Sequence, residues 1–489
     1  AEYSAGSQTV PGGPAGRPGV RPGVRVLDIS TLTNGGISPP VATITHTQYI
    51  THFRTPLRTY LTSNGLSRTV RCIVLTKGMP HRISDTDVAN AGDQPSISAT
   101  EMNAGDLTTS SVDSEMVLLY QNLEVGEAGG TADSKLDGLI INPYWRSDQS
   151  ITGFSTAFIT SGKILAAASG FSGQIWRNLT TGPNAVQPGD MYLTARLDGP
   201  TVQNVFDAID RAQNLVVSLD TAAIILDESN SNGVQNISDV DQEFDNDGPV
   251  AFVNGGDDYE QARDLLLSDG RFNPANVRYN ALNTGAQFLV GPRVSFGGGI
   301  VVSSPVILLG TYGNNHNGTP GTAGTAYQTS FNYAPGAVFN SLESYNGRDF
   351  GGIGPGFTPQ GQLSSFIAAG GTFGIGNVWE PFSLSVPDNL QIVRNFLLGN
   401  LTWVEAAWTS IPGLSWQQIV VGDPLARVRR LEEDVNGDGR TTIEDAHAWN
   451  EAPIRADLNR SGAATTDDLR LLVDSLRRGE SGNMWREGR

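Results

Sequence analysis

Two stretches near the C terminus place oxygen-bearing side chains at the spacing of a calcium-binding loop. In the first stretch, carboxylate or amide side chains stand at loop positions 1, 3, 5 and 12: Asp434, Asn436, Asp438 and Asp445. Gly439 stands at position 6, where such a loop must turn sharply. Arg440 at position 7 would contribute only its backbone carbonyl, so its side chain does not weaken the match. The spacing predicts a bound calcium ion.

The second stretch repeats this spacing with a weaker set of ligands. Its ligand positions carry a carboxylate, an amide, a hydroxyl and a carboxylate: Asp457, Asn459, Ser461 and Asp468. Ala463 at position 7 again offers its carbonyl. Because this loop has two carboxylates where the first has three, we expect it to bind calcium more weakly. The alternative for either stretch is a polar turn followed by a helix N-cap.

A histidine and a hydroxyl group follow two successive predicted strands. His316 lies in a Gly/Asn-rich loop after the apolar run 306–309, and Ser344 follows the run 336–342. If the two strands are neighbours in one sheet, these side chains meet at its edge and are candidates for a base and a nucleophile in hydrolysis. The alternative is that His316 is an ordinary loop or contact residue.

The other candidate metal ligands are less specific. The run 239–247 carries a carboxylate at every second residue, so it is either a further cation site or a solvated acidic loop. The remaining histidines show no metal-ligand spacing, so zinc is not expected. Cys72 is the only cysteine, which excludes a disulfide within one chain and any cysteine-based zinc or iron–sulfur site.

Strands and helices alternate along most of the chain, which predicts an α/β domain with a layered, mostly parallel sheet and helices on both faces. Predicted strands lie at 24–29, 70–76, 191–197, 222–227, 277–282, 306–309, 336–342, 371–378 and 415–421. Predicted helices lie at 49–63, kinked at Pro56, and at 201–213, 257–267, 362–369, 390–398 and 403–409, with another beginning after Ser111. We therefore expect a Pro/Gly-rich arm over 1–24, this domain over 25–428, and a small all-α calcium module with a tail over 429–489.

Composition limits the classes of partner. The chain has 489 residues and carries 32 Lys and Arg against 50 Asp and Glu, a formal charge of −18. This charge repels phosphate backbones and anionic lipid, so nucleic acid and membrane surfaces are not expected partners. No stretch approaches the roughly 18 uninterrupted apolar residues of a membrane helix, so membrane insertion is not expected.

The duplicated loops, each with Asp at position 12 and each followed by a helix, resemble the dockerin module over residues 432 to about 479. The resemblance implies that two calcium ions hold the helices together. It also implies a possible cohesin-like partner, which would be contacted through residues late in the two loops: Ile443, Glu444, Thr466 and Asp467.

The region around His316 and Ser344 resembles the caspase and gingipain type of α/β peptidase fold over about residues 300–425. The segments that carry this resemblance are 306–318, 336–348, 366–376 and 420–424. It implies that a His after one strand assists a Cys after the next. His316 matches the first position, but Ser344 stands at the second. Because unactivated Ser is a much weaker nucleophile than Cys at neutral pH, we expect the pair to be vestigial.

Nearly the whole large domain is also similar to a family of exported bacterial proteins of unassigned function, through the segments 76–80, 111–115, 195–200 and 378–381. The sequence opens at Ala1 without a leader, as a chain does after removal of a signal peptide, so an extracellular or cell-surface location is expected. The arm over 1–24 has little apolar surface and spaces Arg17 and Arg21 along an extended course, which would suit docking onto an acidic neighbour.

Two hypotheses follow. The first is a catalytically silent, calcium-binding structural protein that self-associates head to tail into a filament, tube or surface layer. The second is a secreted, peptidase-like hydrolase of caspase-like fold with a dockerin-type anchor. The distance between the His316 ring and the Ser344 hydroxyl would discriminate them, since a working pair needs about 3 Å or one bridging water.

Overall fold

The computed structural model describes residues 24–84, 109–120, 140–152, 188–213, 215–228, 258–280, 288–313, 325–351, 362–379, 381, 386–438, 440–451 and 456–478. All structural statements below concern these residues. Among them, no helix has both the length and the apolar character needed to cross a bilayer.

An eight-stranded sheet forms the centre of the protein. Its strands are β1 (Cys72–Thr76), β2 (Leu193–Leu197), β3 (Ala223–Asp227), β4 (Val277–Asn280), β5 (Val306–Thr311), β6 (Tyr333–Ser341), β7 (Phe373–Asn377) and β8 (Gln418–Val421). They lie in the order β1-β2-β8-β7-β6-β5-β3-β4. Every neighbouring pair is parallel except β7 with β8. The expected α/β class with a mostly parallel sheet is confirmed.

The single antiparallel pair divides the sheet into two blocks. Strands β1, β2 and β8 run in one direction, and β3 to β7 run in the other. Strands β5 and β6 are direct neighbours, with Leu309 opposite Phe339. The segments that follow β5 and β6 therefore leave the sheet at the same edge. This is the arrangement that the sequence analysis assumed when it paired Ser344, which follows β6, with a residue after β5.

Helices pack on both faces of the sheet, and the last two helices of the chain form a separate C-terminal unit. They are α1 (His46–Tyr49), α2 (Thr55–Ser63), α3 (Val112–Val117), α4 (Val202–Gln213), α5 (Asp258–Asp269), α6 (Thr325–Thr329), α7 (Leu363–Ala368), α8 (Asn389–Ile392), α9 (Trp403–Ser410), α10 (Ile443–Glu451) and α11 (Thr466–Arg477). Alternate residues of each strand point to opposite faces. Accordingly, Ile224 packs in one core with Trp403 of α9, and Ile225 packs in the other with Phe366 of α7.

One local prediction was wrong. Residues 24–29 form no strand; instead a 3₁₀ turn covers Ile29–Thr31, because the Asp28 side chain accepts the N–H of Ser30 at 3.0 Å and caps the turn. The helix predicted at 49–63 is present and begins a few residues earlier, at His46. A π-helical turn, Ile50–Arg54, joins α1 to α2, and Pro56 lies in the first turn of α2, where its missing N–H is tolerated.

Candidate functional site

The carboxylate of Asp445 organises the first predicted calcium loop. This side chain is buried in the first turn of α10. Its Oδ1 accepts the backbone N–H of Asn436 at 3.2 Å, and its Oδ2 accepts that of Thr442 at 2.7 Å. Within the loop, Asn436 Oδ1 accepts the N–H of Asp438 at 2.9 Å. The residue at position 12 thus holds both ends of the loop together.

The second loop has the same internal geometry. Asp468 is buried at the start of α11, and its two oxygens accept the N–H groups of Asn459 at 2.9 Å and Thr465 at 2.6 Å. These donors stand nine and three residues before the carboxylate, as they do in the first loop. Position 4 has a positive φ in both loops, +73° at Gly437 and +58° at Arg460. The sequence repeat is therefore also a structural repeat.

Carboxylates lie close together in the first loop. Burial raises the pKa of the Asp445 carboxyl; the negative charge of Asp434 raises it further, and backbone N–H groups oppose both effects. Asp434 is itself almost fully buried and forms an ion pair with Arg429 at 2.8 Å. A cation bound among these oxygens would relieve the repulsion between the two carboxylates.

The residues present fit calcium by the chemistry of their donors. Each loop offers carboxylate, amide and carbonyl oxygens, which are hard ligands of the kind that calcium takes. In the described part of the chain, no group of three or more His, Cys, Asp or Glu side chains converges as a metal site. Only two such side chains, Asp457 and Asp468, stand at ligand positions of the second loop. In the first, Asp438 faces its own loop, where its Oδ1 accepts the N–H of Arg440.

A small apolar core holds the two helices behind the loops. It consists of Ala446, Trp449, Leu458, Leu472 and Leu476, all buried. The Trp449 indole donates its N–H to the carbonyl of Ala456 at 3.1 Å. The loops therefore rest on a packed two-helix unit, as the expected all-α module requires.

A buried ionic cluster joins this unit to the α/β domain. Glu433, directly before the first loop, accepts hydrogen bonds from Arg271 at 2.8 Å and from Arg430 at 2.5 Å. All three side chains are almost completely buried, and the Ser475 hydroxyl of α11 donates to the same carboxylate at 3.3 Å. Arg271 also pairs with Asp269 at the end of α5. The sequence analysis missed this cluster; its one signal is the opposite charges of Arg430 and Glu433 beside the loop.

The second loop contacts the domain through its backbone. A Cβ at Gly270 would lie 2.8 Å from the carbonyl oxygen of Asn459, so only glycine allows this approach. Arg460 forms an ion pair with Asp220 of the domain. In addition, the strand Arg429–Arg430 pairs with Val216–Val217. The two loops are thus anchored to the domain on several sides.

Some of the other residues predicted from the sequence lie in the described part of the chain, and some do not. Ser344 lies beyond the end of β6 and is 9% exposed. His316, the acidic run 239–247 and residues 1–23 of the arm lie outside the described residues, so the His316–Ser344 distance is not tested. The four positions of a possible cohesin contact are all exposed: Ile443, Glu444, Thr466 and Asp467. They lie at the beginnings of α10 and α11.

Comparison of the chain with protein-family models, with curated proteins and with solved structures found no match to any of them.

Proposed function

We propose that this chain is an exported structural protein that binds calcium through its two C-terminal loops and self-associates outside the cell. The observation that carries the calcium proposal is the repeated geometry of the loops, in which Asp445 and Asp468 each accept the backbone N–H groups nine and three residues before them. Two loops with one geometry and one ligand spacing are the arrangement of a dockerin-like module.

The proposed role of calcium is to rigidify the junction between the module and the domain. The first ligand, Asp434, directly follows Glu433 of the buried ionic cluster. The second loop lies against Gly270. Calcium bound at both loops would hold these contacts in place and would present the exposed starts of α10 and α11 to a partner. That partner is a second copy of the chain or a cohesin-like protein.

The domain itself is proposed to be caspase-like and catalytically silent. Its adjacent, parallel β5 and β6 support the fold proposal, since the segments that carry His316 and Ser344 follow these strands. A serine stands where the resembled peptidases have their cysteine, and Ser344 is largely buried. Both features argue against an exposed nucleophile.

Assembly is proposed to use the N-terminal arm. Arg17 and Arg21 would lie along the acidic surface of the next subunit, since the chain carries a net charge of −18. Such a head-to-tail contact gives open filaments or tubes when its rotation does not close. An arm that folds back on its own domain is the alternative.

Light scattering and electron microscopy test the proposal. We expect the full chain to form large particles in calcium and to lose them in a chelator, while the chain without residues 1–24 stays monomeric in both. The exposed variant Glu451→Gln, at the other end of α10 from the proposed contact positions, is the control and should assemble normally. Particles that form equally with the arm deleted and calcium removed would contradict the proposal.

A hydrolase remains the second candidate, because β5 and β6 are neighbours in the sheet. Its test is Ser344→Ala, assayed with a panel of peptide and ester substrates. We expect any measurable hydrolysis to be the same in the variant and the wild type. A clear loss of hydrolysis in the variant would show that the chain is an enzyme that uses Ser344.

A further inference from the structure

Asn436 and Gly437 form an Asn–Gly pair in the first loop, and both residues are exposed to solvent. An asparagine in such a pair can lose its side-chain amide when the backbone nitrogen of the following residue attacks its Cγ. Glycine favours this attack because it has no Cβ to block the approach. The reactivity of the pair then depends on how the glycine nitrogen and the asparagine amide are held in the fold.

The Gly437 nitrogen differs from that of the other Asn–Gly pairs in the described part of the chain. In those pairs the glycine N–H donates to a backbone carbonyl: Gly35 to Leu32 at 2.8 Å, Gly65 to Thr62 at 3.1 Å and Gly347 to Asn377 at 2.9 Å. Among the described residues, the Gly437 N–H has no such acceptor. A nitrogen that is exposed and not held in a hydrogen bond can lose its proton to solvent and attack without first breaking a contact.

The Asn436 amide is folded back along the chain. Its Oδ1 accepts the N–H of Asp438 at 2.9 Å, and its Nδ2 donates to the Asp438 carboxylate at 3.3 Å. Together with the positive φ of Gly437, +73°, these bonds hold the amide beside the peptide group that would attack it. The N–H on Oδ1 also favours the reaction, because it stabilises the negative charge that develops on this oxygen during the attack.

The second loop repeats this turn with a side chain at position 4. Asn459 Oδ1 accepts the N–H of Ser461 at 3.0 Å, and Arg460 stands in the place of Gly437 with a φ of +58°. The Cβ of Arg460 hinders attack by its own nitrogen, and the ion pair with Asp220 holds this residue to the domain. The molecule thus contains two asparagines in the same kind of turn, of which only one is followed by glycine.

We propose that Asn436 is a site of spontaneous deamidation that modifies the first loop. The deprotonated Gly437 nitrogen forms a bond to Asn436 Cγ, and the bond between Cγ and Nδ2 breaks. The departing nitrogen takes up a proton from water and leaves as ammonia, so that a cyclic succinimide remains. Water then opens this ring: attack at Cγ gives aspartate, whereas attack at the backbone carbonyl carbon gives isoaspartate, in which the chain continues through the former side chain. Water is the only co-reactant.

Either product would change the proposed calcium ligands, and this consequence rests on the proposed function. Asn436 stands at loop position 3, between carboxylates at positions 1 and 5. Aspartate would add a further carboxylate to the ligands and strengthen calcium binding, whereas isoaspartate adds a methylene group to the backbone of the loop and would weaken it. Calcium bound to Asn436 Oδ1 would in turn restrain the amide and slow the reaction.

Peptide mass spectrometry of the full chain tests the proposal after incubation in a chelator at mildly alkaline pH. Trypsin separates the two asparagines, since Asn436 lies in the peptide 431–440 and Asn459 in the peptide 456–460. We expect the first peptide to gain the mass of an amide-to-acid exchange and to separate chromatographically into aspartate and isoaspartate forms. The reaction at Asn459 should be slower by about tenfold or more, because a Cβ stands beside the attacking nitrogen.

Two variants test the role of Gly437. Gly437→Ala should slow the reaction at Asn436 by about tenfold or more. The loop should tolerate this change, since the added Cβ meets no atom within 4 Å and Arg460 already places a side chain at positive φ. The matched control Gly65→Ala, also at a positive φ in open space, should leave the rate at Asn436 unchanged. Equal rates at Asn436 and Asn459, or an unchanged rate at Asn436 in Gly437→Ala, would overturn the proposal.

Calcium distinguishes failure of this proposal from failure of the proposed function. In excess calcium, the rate at Asn436 should fall several-fold, while the rate at Asn64, outside the loops, should not change. If Asn436 reacts equally with and without calcium, its role as a calcium ligand is wrong and the deamidation site stands. If Asn436 does not react in the chelator, the deamidation site is wrong, whatever calcium binding calorimetry shows.

Discussion

Replacement of Glu433 by glutamine tests whether the buried ionic cluster holds the C-terminal module on the domain. Glutamine keeps the size of the side chain and removes its charge. In the wild type, the carboxylate accepts hydrogen bonds from Arg271, Arg430 and Ser475. The Glu433 side chain is 0% exposed. Water therefore cannot replace the lost charge.

The size of the stability loss depends on which hydrogen-bond acceptors Arg271 and Arg430 keep in the variant. Arg271 retains Asp269 at 2.6 Å and the carbonyl of Leu398 at 3.1 Å. Among the described residues, Arg430 would keep only carbonyl oxygens as hydrogen-bond acceptors, that of Gly399 at 2.7 Å among them, and would lose its directly bonded counter-ion. Removing one partner of a buried ion pair costs about 3–5 kcal/mol. We expect Glu433→Gln to lower the free energy of unfolding by about this amount.

Urea denaturation followed by circular dichroism measures this change, and hydrogen exchange over 466–477 locates it in α11. Glu444→Gln is the matched control, because Glu444 is an exposed acid in the same module. The control should change stability by less than about 0.5 kcal/mol. If Glu433→Gln behaved like the control, the cluster would not be what joins the module to the domain, and the argument from burial and charge would be refuted.

Two further predictions concern other contacts. His81 is neutral in the folded chain because burial and the charges of Arg196, Arg82 and Lys77 lower its pKa, whereas the unfolded chain takes up its proton below about pH 6.5. Stability should therefore fall by about 1.4 kcal/mol per pH unit below pH 6.5 relative to His81→Gln, and parallel pH profiles of the two proteins would contradict this. Gly270→Ala should lower Tm more than Gly65→Ala does: both glycines have positive φ, but only at Gly270 would the methyl group meet backbone, that of the second loop. Equal losses in differential scanning calorimetry would show that the contact with the loop is unimportant.

Local sequence patterns predicted most elements of the sheet, because these strands are short apolar runs between turn residues. Strands β3 and β5 begin within one residue of their predicted positions, at Ala223 and Val306. Patterns of this kind carry no information on which strands pair. The antiparallel contact between β7 and β8, which divides the sheet into two blocks, therefore emerged only from the structure.

The candidate sites also differ in whether their residues are close together or far apart in the sequence. The two C-terminal loops could be proposed from sequence because all their candidate ligands lie within twelve residues and follow a fixed spacing. The ionic cluster could not, since Arg271 and Glu433 stand 162 residues apart. Long-range pairs of this kind depend on the packing of whole elements, which no local pattern describes.

Calcium stoichiometry tests the central proposal most directly. Isothermal titration of the chelator-stripped chain should give two sites, the second weaker than the first, because loop 457–468 has two carboxylates at its ligand positions where loop 434–445 has three. Asp445→Asn should remove the tighter site, Asp468→Asn should remove the weaker one, and the exposed control Asp467→Asn should retain both. Absence of any heat of calcium binding, or two sites that survive both substitutions, would contradict the proposal.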